Sequence, residues 1–113
     1  MAPLAASLEA GAPVEVPYAP SFVDGIGGPP VLPEMFGLAQ RLLAGSLIAT
    51  VDETAAAVRL LVERARVVAE GAGAAALAAT LSGTAGGGKV VCVVSGGNID
   101  TAKLATILAG ATP

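Results

Sequence analysis

The sequence predicts an α/β fold, with helices flanking a core of two buried strands. Two short apolar segments, Ser46 to Val51 (SLIATV) and Lys89 to Val94 (KVVCVV), read as strands, the second of the type buried on both faces of a parallel sheet. The stretches between and after them have helical spacing, and the order strand, helix, helix, strand, helix requires crossover connections. Composition agrees. Of 113 residues 54% are hydrophobic, 25 are Ala, and the aromatics are only Tyr18, Phe22 and Phe36. A core of Val, Leu, Ile and Ala suits helices lying close on a sheet.

Along the chain, residues 2 to 10 read as a short helix stopped by Gly11, since glycine commonly follows a helix end. Residues 11 to 33 are a long loop with Pro13, Pro17, Pro20, Pro29, Pro30 and Pro33 and the run Asp24-Gly25-Ile26-Gly27-Gly28. A loop of that length is either functional or disordered, and Asp24 with Gly25 also reads as a plain turn. Residues 34 to 44 regain helical spacing, with Met35, Leu38, Leu42 and Leu43 on one face and Gly45 at the end. After the first strand, Thr50 or Asp52 caps a long helix reaching about Ala69. Val58, Leu61, Val62, Ala65 and Val68 form its apolar stripe, with Arg59, Glu63, Arg64 and Arg66 on its solvated side. Residues 71 to 82 are a helix of small residues, in which Gly71 and Gly73 admit close approach of another backbone. A Gly-rich turn over 83 to 88 leads to the second strand, the tight turn Ser95-Gly96-Gly97-Asn98 follows, and a last helix runs from about Asp100 to Ala109.

The length fits one domain over 1–113, with the 11–33 loop and an α/β core over 46–110. Two buried-type strands make a poor sheet alone, so the sheet is expected to be completed by oligomerisation.

Missing residue types narrow the chemistry. With no His, neither a Ser-His-Asp nor a Cys-His nucleophile system can be assembled. The single Cys92 excludes a disulfide framework and a Cys-cluster zinc site. A divalent metal would need oxygen ligands, which favours Mg or Ca, and no residue is assigned as a ligand. A net charge of −3 with six Lys and Arg argues against a nucleic-acid surface. No apolar run has the length of a membrane span, and the N-terminus lacks the pattern of a signal peptide. The expected location is cytoplasmic.

Two motifs could carry function. In Val93 to Asn98 (VVSGGN), a strand runs into Ser95, Gly96, Gly97 and Asn98, placing a hydroxyl and several backbone N–H groups at a sheet's carboxyl edge, where ligands bind in open α/β folds. An ordinary strand-to-helix turn has the same residues. In Glu70-Gly71-Ala72-Gly73, a small-residue helix start could hold an anion or simply pack tightly on its neighbours. Glu70 is either a partly buried carboxylate or a residue favoured near a helix N-terminus.

Together these features resemble a known family. The stretch RLLVERARVVAEGAGAAALAATLSG…KVVCVVSGGNID, from Arg59 to Asp100, is similar to the C-terminal part of the catalytic domain of threonine dehydratases. It is equally similar to serine racemases and serine dehydratases, all pyridoxal-phosphate enzymes of fold type II. Upstream, MAPLAASLEAGAPVE and SFVDGIGG resemble further family segments. The resemblance implies pyridoxal phosphate as cofactor, with Ser95 bonding the pyridine nitrogen, Gly96, Gly97 and Asn98 completing that turn, Glu70 near the ring, and Asp24 and Gly25 in the loop beside cofactor and substrate. Gly71 replaces the family's proline after Glu70, and Val51 stands where Ser is frequent.

The family's Schiff-base lysine motif and its Gly-rich phosphate loop do not occur among these residues, and neither Lys89 nor Lys103 matches the lysine motif. The expectation is a truncated piece of a threonine or serine ammonia-lyase, inactive as a lyase alone, whose partners are the N-terminal part of the domain or further copies of itself. The alternative is an independently folding oligomeric module with a recruited function, such as metal-dependent hydrolysis at a subunit interface using Asp24, Glu34, Glu70 or Asp100.

Overall fold

A computed structural model describes residues 2–28 and 30–113; Pro29, in the expected loop, lies outside the described residues. The chain forms helices α1 (Pro3–Ala10), α2 (Pro33–Leu42), α3 (Val51–Leu60), α4 (Gly71–Leu81) and α5 (Thr101–Leu108), with a π-helical turn at Leu61–Ala65 continuing α3. It divides into two compact units. One holds α1 and α2, up to Ala19 and over Ile26–Ile48; the other holds Pro20–Gly25 and Ala49–Pro113.

In the first unit, α1 ends at Gly11, whose φ of 72° is the left-handed conformation that glycine adopts at little cost. The buried Ser7 hydroxyl accepts a hydrogen bond from the Val14 N–H at 3.1 Å, tying the chain beyond α1 back to the helix. Helices α1 and α2 pack on each other. Phe36 is the buried residue of α2, whereas the expected apolar stripe of Met35, Leu38, Leu42 and Leu43 is exposed.

The second unit carries the main core. Phe22, Ala55, Ala57, Val58, Leu61, Ala69, Ala74, Ala78 and Ile107 form it, because α3 packs on both α4 and α5. Alanines on α3 and α4 let those helices approach closely. Phe22 fills a place that composition alone did not assign to an aromatic.

The expected two-strand core does not form. Among the described residues there is no strand, and no ladder hydrogen bond joins 46–51 or 89–94 to each other or to another segment. Both segments run without regular structure up to the start of α3 in one case and up to Ser95 in the other. Leu47, Ile48, Val91 and Val93 are exposed, Val91 at 90%. The residues carry strand propensity, but a strand exists only when a neighbour accepts its N–H and C=O groups.

Helix α3 also differs from expectation at its end, stopping short of Ala69. Arg66 takes a left-handed conformation (φ 60°), and the Val67 N–H donates back to the Leu61 carbonyl at 3.1 Å. The Arg66 guanidinium closes the terminus by donating to the Glu63 carbonyl at 2.8 Å, a favourable place for a cation. The stripe is therefore buried only as far as Leu61; Ala65 and Val68 are exposed.

At the other end Thr50 is the cap. Its hydroxyl accepts from the Glu53 N–H at 3.1 Å, while its N–H and hydroxyl donate to the Glu53 carboxylate at 2.7 and 2.9 Å, a full capping box. The Thr50 backbone N–H first, and its hydroxyl second, hold the Glu53 pKa below its ordinary value of 4.5. A depressed carboxylate contributes stability that is present above the unfolded pKa and is lost as pH falls through the lower folded one. Helicity of α3 should thus hold above about pH 4.5 and decline on further acidification. Thr50→Ala should cost about 1 kcal/mol and shrink this acid dependence, measured as thermal midpoints between about pH 3 and pH 6.

Candidate functional site

The second unit gathers three segments around Glu70: the loop 20–25, the start of α4, and the turn 95–98. Glycines make the approach possible. A Cβ placed on Gly71 would lie 2.9 Å from Val23 Cγ2 and 3.0 Å from the Phe22 ring, and one on Gly25 would lie 2.8 Å from Ala72 Cβ. A Cβ on Gly73 would lie 2.5 Å from the Gly96 carbonyl oxygen and 2.9 Å from its nitrogen. On Gly97 it would lie 2.8 Å from the Val68 carbonyl oxygen, and on Gly96 it would overlap the Glu70 carboxylate. Of the two readings of the α4 start, tight packing therefore describes Gly71 and Gly73.

Glu70 stands at the N-cap of α4 with an extended backbone (φ −76°, ψ 168°) and no side-chain cap bond to its own helix. Its N–H donates to the Gly96 carbonyl at 3.0 Å. Its half-buried carboxylate lies against Gly96 and near Gly25. Glu70, Gly25, Gly96 and Gly97 are thus brought into one neighbourhood.

Ser95 and Asn98 are exposed at the two ends of the same turn. Asp24 is exposed and pairs with Lys103 of α5, Oδ2 to Nζ 3.9 Å. With both side chains so open to water, the pair contributes little to stability. Asp100 caps α5, its Oδ1 accepting from the Ala102 N–H at 2.7 Å.

Among the described residues no three His, Cys, Asp or Glu side chains gather as a metal site would need. No helix of the described residues is long and apolar enough to cross a membrane.

Two contributors were not assigned from sequence. The Val68 carbonyl that faces Gly97 is main chain and has no sequence signal. Phe22, against Gly71, had one: it is one of two Phe in the chain and lies inside a Pro- and Gly-rich loop.

Ser95 is exposed on a turn held by the close main-chain packing of Gly96 and Gly97. The profile of the pyridoxal-phosphate dependent enzymes matches residues 1–96. The chain belongs to this family. Among curated family members, it is 36% identical over 104 residues to an L-threonine ammonia-lyase of Geobacter sulfurreducens, covering 90% of this chain and 26% of that protein. It is 37% identical over 109 residues to the L-threonine ammonia-lyase of Thermotoga maritima, with coverages of 96% and 27%. A putative threonine dehydratase of Sinorhizobium fredii is 41% identical over 103 residues, with coverages of 88% and 31%. The chain therefore spans about a quarter to a third of the length of these relatives. Among solved structures, a threonine deaminase from T.th. superposes with a TM-score of 0.75 at 28% identity, over 87% of this chain and 36% of that one. The resemblance read from SGGNID and the Ala-rich block is a true family relationship, and the family's cofactor is pyridoxal phosphate.

Proposed function

We propose that this chain forms the C-terminal part of the catalytic domain of a pyridoxal-phosphate dependent ammonia-lyase acting on threonine or serine. It supplies one wall of the cofactor site. The observation that carries this reading is the packing of the Ser95–Asn98 turn against Glu70 and Gly73, in a chain similar to threonine ammonia-lyases.

In this reading Ser95 sets its hydroxyl against the pyridine nitrogen. Gly96 and Gly97 keep side chains out of the narrow gap behind the turn, and Asn98 ends the turn. Glu70 would lie near the ring, and Asp24 and Gly25 would form the loop beside cofactor and substrate. Bound pyridoxal phosphate supplies electron withdrawal at the substrate bond to be broken. The Ser95 hydroxyl, being neutral, would not favour a proton on the ring nitrogen. The amine and the phosphate cradle that hold the cofactor come from outside these 113 residues. The apolar segments 46–49 and 89–94 become strands when the rest of the domain, or a second copy of the chain, offers them neighbours.

The test mixes the purified chain with the N-terminal part of a threonine ammonia-lyase catalytic domain and pyridoxal phosphate. Expected are a cofactor absorbance band and ammonia release from threonine or serine. Ser95→Ala should weaken cofactor binding about fivefold, the equivalent of one hydrogen bond of about 1 kcal/mol. A mixture with neither colour nor ammonia would sink the reading.

A further inference from the structure

We infer that Gly73 on α4 is a positioning residue for the Ser95 hydroxyl, and that Gly97, within the turn, acts with it. This deepens the reading of Ser95 given above and rests on it.

Gly73 is buried, helical, and free of the positive φ that would require glycine for conformational reasons. Alanine is the better helix former there, so the absent Cβ is explained by space. That space is occupied by the Gly96 main chain, whose carbonyl oxygen (of the 96–97 peptide) and nitrogen (of the 95–96 peptide) both lie closer to a Cβ than contact allows. At the next residue, the Val68 carbonyl oxygen leaves no room for a Cβ on Gly97. The turn is held against two stretches of main chain, and one hydrogen bond, from the Glu70 N–H to the Gly96 carbonyl, joins it to the start of α4.

Neither neighbour is the flexible end of a side chain, so neither can swing aside. A methyl at position 73 must displace the Gly96 peptide. The Gly96 nitrogen, 2.9 Å from such a Cβ, lies in the planar peptide unit that also contains the Ser95 Cα, so moving that unit shifts the point from which the Ser95 side chain springs. Gly96 differs, because a Cβ there meets the Glu70 carboxylate, which can rotate away.

The test compares Gly73→Ala with the unaltered chain, using Gly37→Ala as the control. Gly37 lies in α2 with open space around it and reports helix propensity alone. Amide hydrogen exchange at Glu70 should accelerate at least about tenfold in Gly73→Ala and stay unchanged in Gly37→Ala, as expected for losing a bond closed only by tight packing. In the complemented mixture, Gly73→Ala should weaken pyridoxal phosphate binding about as much as Ser95→Ala does, and the double variant should be no weaker than either. That non-additivity is the readout a merely structural role would not produce. Should Gly73→Ala fail to fold, Gly97→Ala carries the same comparison. Unchanged Glu70 exchange, or additive losses in the double variant, overturns the assignment of Gly73. Ser95→Ala with unchanged cofactor affinity overturns the reading of Ser95 itself, and the Glu70 exchange result tells the two failures apart.

Discussion

Ile107→Ala is expected to lower the stability of the second unit by about 2–5 kcal/mol, the range for truncating a buried Ile to Ala. Ile107 is 1% exposed and belongs to the core with Val58, Ala55 and Leu61. It is the fully buried residue of α5, so the change removes the principal apolar anchor of that helix. A cleft of about 320 Å³ lined by Ala55, Arg59, Ile107 and Gly110 adjoins it. Solvent can reach part of the space vacated, which places the cost toward the lower half of the range. Single domains hold only about 5–15 kcal/mol in total, so urea unfolding should show a large drop in midpoint. Leu108→Ala, on the exposed side of the same helix, should change stability by no more than about 0.5 kcal/mol. Equal midpoints for the two variants would mean that α5 does not pack on α3 in solution.

Gly97→Ala is expected to cost about 1–3 kcal/mol, as overpacking does when backbone must yield. Its Cβ would stand 2.8 Å from the Val68 carbonyl oxygen, while Gly96→Ala meets only the carboxylate of Glu70. Two adjacent glycines should therefore behave differently. Gly97→Ala should lower the thermal midpoint by several degrees, at about 4–8 °C per kcal/mol for a small domain. Gly96→Ala should leave it nearly unchanged, yet displace the Glu70 side chain and weaken cofactor binding in the complemented mixture. Similar midpoints for both would show that the turn is free to move away from Val68 at no cost.

The helices are largely legible in the sequence because each carries its own local signals. Gly11 ends α1 through a conformation only glycine adopts easily, and the Thr50-to-Glu53 spacing builds its cap within four residues. The close approach at Gly71 and Gly73 is also legible, since glycines inside an otherwise good helix need a reason in packing. Segments 46–51 and 89–94 read as strands and are not, because their residues favour a sheet and no residue type reports whether a neighbour is there. The sequence overextends α3 because the apolar spacing continues past the point where Arg66 turns left-handed.

The sequence by itself determined the family, through SGGNID and the Ala-rich block, and the positions of the helices, through caps and periodicity acting over a few residues. Only the tertiary structure decided which glycine serves which purpose: Gly73 and Gly97 lie against main chain, which yields only at a cost, and Gly96 lies against a side chain that yields cheaply. It also decided that Asp24 pairs with Lys103 and that Asp100 is a helix cap. Capping and periodicity are local interactions written in neighbouring residues. Close packing between segments far apart in the chain depends on where the backbone runs, and glycine leaves no side chain in the sequence to say what it faces.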